Sequence, residues 1–309
     1  MNSPVTIYVD DNYNLFVADA FNHRIMKYYA NNITGTVVAG GLSPGSSPTQ
    51  LNDPKGVAVD RSGTIVVADG QNYRIQKFSN GSLTGTTVVS NNSNTLLGIT
   101  RDIRVDCYNN IMVTDSNYAR IVKFTSDGSN MTILVNNNGV GSAADQFKTP
   151  FGIFIDNDQT LFVADRGNHR IQMWPSGATS GITVAGINGS AGSSLMELNN
   201  PIAVVVDNNG FIYVADNGNN RIVRWTKNYT AGGVCVVGCS GSAGTGPTYF
   251  NNPRDLKFDP SGNLYVSDQS NHRIQKFMVH TSTSSCVSSK NKFYFNENSF
   301  SFLFIFLDG

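Results

Sequence analysis

The chain has 309 residues with 22 basic and 22 acidic side chains, so its net charge is near zero, and only 14% of its residues are charged. Broad electrostatic binding to nucleic acid or to an anionic membrane needs a basic face, so this composition argues against nucleic acid as a partner. The apolar run at 302–307 is too short to span a bilayer, and no membrane span is predicted.

One motif occurs six times along the chain. It consists of a hydrophobic stretch ending in Asp, two variable residues, Asn, one variable residue, and then Arg-Ile, and the third copy replaces the Asn. The Asp residues stand at positions 19, 69, 115, 165, 216 and 268, which gives a period of 46 to 52 residues. Self-similarity at such a period predicts a repeat architecture.

The second copy shows the elements that each repeat is expected to form. Residues 56–60 alternate small and apolar side chains as a strand does, and 65–68 are continuous and β-branched, as in a strand covered on both faces. Two further strands are predicted at 75–78 and 86–89. Four short antiparallel strands form one propeller blade, and six copies predict an all-β, six-bladed β-propeller.

The predicted propeller covers residues 1–279. Its blades are expected at approximately 1–41, 51–90, 97–136, 147–186, 198–239 and 250–279. Since no spare strand precedes the first blade, the sixth blade is expected to take a C-terminal strand, from 278–289 or from 293–307. Residues 280–309 are otherwise expected to form an irregular aromatic tail. Their sequence is also consistent with translated non-coding sequence. The chain is expected to be part of a longer protein.

The fixed Asp and Arg of the motif are interpreted as structural staples. The Asp at the strand end can accept hydrogen bonds from turn amides, and the Asn tolerates the left-handed conformation. The Arg five residues after the Asp can reach that carboxylate or a backbone carbonyl. The predicted pairs are Asp19 and Arg24, Asp69 and Arg74, Asp115 and Arg120, Asp165 and Arg170, Asp216 and Arg221, and Asp268 and Arg273.

These features resemble the NHL-repeat family of β-propellers, which is named after an Asn-His-Leu turn at this place. The equivalent triplets here include Asn22-His23-Arg24 and Asn168-His169-Arg170, and Pro54-Lys55-Gly56 matches the family's Pro-x-Gly lead-in. The third repeat departs from the pattern, with Tyr118 in place of the turn Asn. The resemblance implies a non-enzymatic binding or scaffold module for a protein, peptide or glycan. Two alternatives remain: a substrate-recognition propeller related to NHL-type ubiquitin ligases, and an enzyme like peptidylglycine amidating lyase or a hydrolase.

The variable positions of the motif are the candidate binding residues, because loops on a rigid scaffold commonly carry recognition. They are predicted to share one face with the loops between blades. The candidates are Phe21, His23, Gln71, Tyr73, Asn117, Tyr118, Arg166, His169, Asn217, Asn220, Gln269 and His272.

No catalytic constellation and no cofactor are predicted. Three of the four His share one repeat position, and blade four lies opposite blades one and six, so these His should not converge on one metal ion. The acidic turns at 10–12 and 156–158 are weak candidates for surface calcium sites.

Cysteines and glycosylation sequons bear on the compartment. A bend at Gly238 would allow a disulfide between Cys235 and Cys239, whereas Cys107 and Cys286 are expected to be free thiols. Six Asn-x-Ser/Thr sequons are candidate N-glycosylation sites, although chance predicts a similar number: Asn32, Asn80, Asn91, Asn130, Asn188 and Asn228. An extracellular location is favoured.

Overall fold

The structure, a computed structural model, describes residues 1–41, 43–91, 97–135, 139–279 and 300–301. It consists of six four-stranded antiparallel sheets, and the described residues contain no α-helix. The predicted all-β, six-bladed propeller is confirmed. Within the described part of the chain, no helix has the length and apolarity needed to cross a bilayer.

Each blade uses four consecutive strands. Blade one contains β1 (Pro4–Val9), β2 (Leu15–Asp19), β3 (Arg24–Tyr28) and β4 (Gly35–Gly40). Blade two contains β5 (Pro54–Val59), β6 (Ile65–Asp69), β7 (Arg74–Phe78) and β8 (Thr86–Ser90). Blade three contains β9 (Thr100–Val105), β10 (Ile111–Asp115), β11 (Arg120–Phe124) and β12 (Met131–Val135). Blade four contains β13 (Pro150–Ile155), β14 (Leu161–Asp165), β15 (Arg170–Trp174) and β16 (Ile182–Gly186). Blade five contains β17 (Pro201–Val206), β18 (Ile212–Asp216), β19 (Arg221–Trp225) and β20 (Gly233–Val237). Blade six contains β21 (Pro253–Phe258), β22 (Leu264–Asp268), β23 (Arg273–Val279) and β24 (Phe300–Ser301).

The first strand of every blade lies nearest the axis. Each of these six strands contacts the first strands of both neighbouring blades, which closes them into a ring. The second strand is buried along its whole length in all six blades, because it is covered on both faces by adjacent sheets. Continuous apolar sequence such as that of β6 suits this position.

The hydrophobic core is divided among the gaps between blades. Trp225 of blade five packs with Phe162 and Ala164 of blade four, and Tyr213 of blade five shares a cluster with Phe277 of blade six. Fully burying one large apolar side chain contributes about 1.5–3 kcal/mol. A single blade exposes both faces, so its stability depends on its neighbours.

The ring closes between blades six and one. The Ile7 N–H donates to Asp255 Oδ2 at 2.9 Å, and Ser267 Oγ donates to the Val5 carbonyl at 2.7 Å. Strand β24 pairs with the end of β23 through Met278 with Ser301 and Val279 with Phe300. The paired strand therefore belongs to the second of the two segments that were predicted to complete blade six, inside the stretch assigned to an irregular tail. The rest of that stretch, 280–299 and 302–309, lies outside the described residues.

Candidate binding face

The repeated Asp forms a buried ion pair with the repeated Arg in every blade. All six Asp side chains have an exposed fraction of 0%. The Arg Nε donates to Asp Oδ2 over 2.7 to 3.1 Å in the pairs Asp19–Arg24, Asp69–Arg74, Asp115–Arg120, Asp165–Arg170, Asp216–Arg221 and Asp268–Arg273. Blade three has the longest of these contacts.

Blade four shows what this pair does for the fold. Asp165 Oδ2 also accepts from Asn168 Nδ2 at 2.7 Å, and its Oδ1 accepts from the Lys148 N–H at 2.7 Å. Arg170 Nη2 donates to the carbonyls of Ala143 and Gln146, both at 2.9 Å, in the loop that enters the blade. One buried ion pair therefore joins the turn after β14 to the preceding inter-blade loop.

The left-handed residue of this turn is the one after the Asn, not the Asn itself. Its φ angle lies between 49° and 57° in all six blades, at His23, Tyr73, Ala119, His169, Asn220 and His272. The interpretation of the Asn as the left-handed residue was wrong. In five blades the Asn side-chain amide instead donates a hydrogen bond to the buried Asp carboxylate. The Asn therefore stabilises the turn through this hydrogen bond.

Four of these left-handed residues bind the next blade. His23 Nδ1 accepts from the Asp53 N–H at 3.1 Å, His169 Nδ1 from the Asn200 N–H at 3.2 Å, and His272 Nδ1 from the Ser3 N–H at 3.0 Å. Asn220 Oδ1 accepts from the Asn252 N–H at 3.1 Å. These four predicted binding residues thus also have an inter-blade structural contact.

The remaining candidate binding residues differ in exposure. Phe21, Gln71, Asn117 and Tyr118 are exposed, whereas Tyr73, Asn217 and Gln269 are half-buried. Asn217 Nδ2 donates to the Pro253 carbonyl, and Gln269 Nε2 donates to Ser3 Oγ. Tyr118, which replaces the turn Asn in blade three, places its ring 4.8 Å from the Arg120 guanidinium carbon.

Arg166 is the candidate binding residue that lies near the axis of the propeller. Its guanidinium carbon lies 5.3 Å from the ring centroid of Phe151, and those of Arg101 and Arg254 each lie 4.9 Å from the same ring. Burial and then repulsion by Arg101 and Arg166 lower the pKa of Arg254 to about 10. Arg254 therefore remains charged at neutral pH.

Lys55 completes this group, which we call the axial cationic cluster: Lys55, Arg101, Arg166 and Arg254. Burial lowers the pKa of Lys55, and Arg254 and Arg101 also act in that direction. Lys55 Nζ lies 2.7 Å from the Asp53 carboxylate. Among the described residues, no carboxylate lies within 4.0 Å of the other three side chains.

The acids farther along the axis are already bound. Asp102 Oδ1 accepts from Arg104 Nη1 at 2.8 Å, and its Oδ2 accepts from the Ile153 N–H of the next blade at 2.9 Å. Asp255 makes the equivalent contacts, with Lys257 Nζ at 2.9 Å and the Ile7 N–H. Burial raises the pKa of Asp102 and lowers that of Lys257. Both carboxylates therefore connect inner strands, and Asp255 also acts to raise the pKa of Arg254.

Sequence reasoning found Arg166 but missed Lys55, Arg101, Arg254 and Phe151. The missed residues share one repeat position, the second residue of the first strand, which reads Val5, Lys55, Arg101, Phe151, Ile202 and Arg254 around the ring. Comparing this position across the six repeats would have shown three cations in six copies.

The potential metal-ligating side chains of the described residues are dispersed. The described residues contain no group of three His, Cys, Asp or Glu side chains that could hold a metal ion. The two acidic turns use their first carboxylate to bind their own backbone: Asp10 Oδ1 accepts from the N–H groups of Asn12 and Asn14, and Asp156 Oδ1 from those of Asp158 and Thr160.

Two of the cysteines form a disulfide, and the sequon residues lie at the surface. Cys235 and Cys239 form a disulfide with a Cα–Cα distance of 5.7 Å, and Gly238 between them has a φ of 75°. Cys107 is free and exposed, and Cys286 lies outside the described residues. All six sequon Asn are exposed, so N-glycosylation at them stays a prediction.

Comparison with known proteins gives matches to both sequence and fold. A family model described as NHL repeat matches residues 51–78, 198–225 and 250–277. The chain is 30% identical to human NHL repeat-containing protein 3 over 141 residues, 42% of this chain and 39% of that protein. It is 28% identical to the mouse E3 ubiquitin-protein ligase TRIM32 over 151 residues, 45% of this chain and 20% of that protein. The matches therefore span less than half the length of these relatives.

The fold is also similar to a solved structure of streptogramin B lyase. The TM-score is 0.58 at 15% identity, over 85% of this chain and 75% of that one. At this identity the likeness concerns the fold alone. The family-model matches, the relatives and six copies of the Asp-Arg turn agree with one another. The chain therefore contains NHL repeats at the matched residues and is similar to NHL-repeat proteins, and its fold is a six-bladed β-propeller.

Proposed function

We propose that this chain is a non-enzymatic binding module whose loop face, centred on the axial cationic cluster, binds a protein or peptide partner. The observation that carries the proposal is that cations from four blades converge on one mouth of the axis, and that the three arginines among them have no carboxylate of the described residues within 4.0 Å. Gathering like charges in a partly desolvated place opposes folding. Blades one and five have Val5 and Ile202 at the same repeat position, so the fold itself does not require a cation there.

A role in substrate recognition for a ubiquitin ligase is a more specific form of the same proposal. It is supported by the similarity to TRIM32, whose name describes an E3 ligase. The sequence of this chain has only four Cys and four His, without the spacing of a zinc-binding array. In such an assembly this chain would supply recognition and not transfer.

The enzyme alternative draws on the fold shared with streptogramin B lyase. An axial general acid or base would need a carboxylate or imidazole that can reach a substrate. The two axial carboxylates, Asp102 and Asp255, accept hydrogen bonds from a cation and from backbone N–H groups. This arrangement favours the binding proposal over catalysis at the axis.

Peptide selection tests the binding proposal. A random-peptide phage library is panned against the immobilised chain, and the affinities of enriched peptides are then measured for wild type, Arg166→Ala and Arg61→Ala. Arg61 is an exposed control in the turn between β5 and β6, at the opposite end of the sheet from the loop face. We expect Arg166→Ala to weaken binding by about tenfold or more and Arg61→Ala to leave it unchanged. Enriched peptides that bind both variants as tightly as wild type would contradict the proposal.

A further inference from the structure

We propose that the axial cationic cluster is a carboxylate-binding site, which takes an acidic side chain or the terminal carboxylate of a peptide partner. This inference rests on the proposed function and specifies the chemical group that the loop face recognises. It follows from the charge, the available hydrogen-bond donors and the shape of the axial mouth.

The first step is the charge imbalance. Arg101, Arg166 and Arg254 surround one ring, and repulsion among them contributes to the lowered pKa of Arg254. Contact with the face of Phe151 offsets part of this repulsion, because an aromatic ring attracts cations. Asp53 and Asp255 offset a further part, yet the pKa of Arg254 stays lowered, and a bound anion would oppose the remaining repulsion.

The second step is the supply of hydrogen-bond donors. Each guanidinium has five N–H donors in a planar fork that matches a carboxylate. Among the described residues, the hydrogen bond recorded for these three side chains is from Arg101 Nε to Ser116 Oγ, at 3.2 Å. An aromatic ring occupies none of the N–H groups as a conventional hydrogen-bond acceptor, so most of these donors are left for a ligand. The cluster therefore has both charge and donors to offer.

The third step is the shape of the mouth. The space on the axis beside Arg101, Phe151 and Arg254 is only about 10 Å³, and its lining also includes the ion-paired Asp102 and Asp255. A cavity of about 10–15 Å³ holds one water molecule. This space is too small for a carboxylate and is already lined by two, so a bound carboxylate would lie outside it, against Arg166 and the outer side of the cluster on the loop face.

The fourth step separates a peptide from nucleic acid. Nucleic acid engages many phosphates over an extended basic surface. This chain balances 22 basic with 22 acidic residues, and its unpaired cations are collected at one point. A single point of positive charge at a closed mouth fits one terminal carboxylate better than a phosphate backbone.

Calorimetric titration tests the inference with defined probes. The probes are an oligoglutamate peptide with a free terminal carboxylate, an oligoglutamine peptide of the same length with an amidated C-terminus, sodium sulfate and a single-stranded RNA oligonucleotide. The proteins are wild type, Arg254→Met and the matched control Arg61→Met, which removes an exposed arginine at the opposite end of the sheet. Arg166→Met provides a second cluster variant on a surface turn.

We expect wild type and Arg61→Met to bind oligoglutamate with equal affinity and not to bind oligoglutamine. Both cluster variants should lose about tenfold or more in affinity, and sulfate should compete in wild type. Equal binding to Arg254→Met and Arg61→Met, or no binding to wild type, would overturn the inference. Preference for RNA, or binding of sulfate but not oligoglutamate, would also overturn it.

These results are distinguishable from failure of the proposed function. If selected peptides lose affinity for Arg166→Ala but oligoglutamate does not bind, the loop face is a binding face and the carboxylate assignment is wrong. If oligoglutamate binds but no selected peptide is sensitive to Arg166→Ala, the anion site exists and the proposal of a peptide-binding face fails.

Discussion

The molecule contains two sets of buried or half-buried arginines with opposite surroundings. The six arginines of the repeated turns each bind a fully buried Asp, and most of them also donate to loop carbonyls. The three arginines of the axial cluster surround Phe151, with no carboxylate among the described residues within 4.0 Å. Asp carboxylates neutralise the first set within the fold, whereas the second set has no such ion-pair partner among the described residues.

This difference separates structural from functional arginines on physical grounds. Removing one partner from a buried ion pair leaves an uncompensated charge and costs about 3–5 kcal/mol. Removing one member of a like-charged group relieves repulsion. The sign of the stability change therefore indicates which role an arginine has, and binding sites are often places where a protein accepts lower stability.

The largest expected effect is on the staple of blade four. Asp165→Ala leaves Arg170 buried without its carboxylate and should lower the free energy of unfolding by about 3–5 kcal/mol. Denaturant unfolding measures this, with Asp158→Ala as an exposed control in the same blade. Adding Arg170→Met to Asp165→Ala should recover part of the loss. An unchanged unfolding midpoint for Asp165→Ala would show that the pair is not a staple.

A smaller effect concerns the seam between blades four and five. Burial, followed by Lys148 and Arg166, lowers the pKa of His169, while Asp165 and Asp216 act in the opposite direction. The unfolded chain therefore binds a proton more readily than the folded one, so stability falls as the pH drops through about 6.5 towards the lowered pKa. Protonation would turn Nδ1, which accepts from the Asn200 N–H, into a donor.

Blade five shows which residue can replace His169 without a titrating group. In blade five Asn220 accepts the equivalent bond through Oδ1, so His169→Asn keeps an acceptor without a titrating group. We expect equal melting temperatures for wild type and His169→Asn at about pH 7.5, and a smaller loss for His169→Asn at about pH 5.5. The same loss in both proteins at the lower pH would rule out His169 as a source of the pH dependence.

The smallest expected effect is a gain in blade three. Tyr118→Asn should restore the amide that donates to the buried Asp in the other five blades. One such bond contributes about 0.5–1.5 kcal/mol, reduced here by loss of the ring contact with Arg120. A modest rise in melting temperature is expected, and Tyr108→Asn serves as a control because Tyr108 is an exposed tyrosine in another turn of the same blade. A fall for Tyr118→Asn would mean that the Tyr118 ring contributes more than the amide.

The fold was accessible from sequence because the same turn occurs in every repeat. Asp19 and its five equivalents marked each second strand, and repetition made the blade count certain. The axial cluster was not accessible in this way, since its members occupy positions where the repeats differ. Phe151 and Arg254 lie on the first strands of blades four and six, and only the circular arrangement of the blades brings them to one point. The sequence did not decide which of the two C-terminal segments supplies the closing strand, because the sequence of that strand does not resemble a repeat.

The most direct test compares the melting temperatures of Arg170→Met and Arg254→Met without any ligand. Arg170→Met removes bonds to Asp165 and to two loop carbonyls, so it should melt well below wild type. Arg254→Met removes one of three like charges, so it should melt at or above wild type. If both variants are destabilised to the same extent, the axial arginines are structural, and the account of the loop face as a binding site is contradicted.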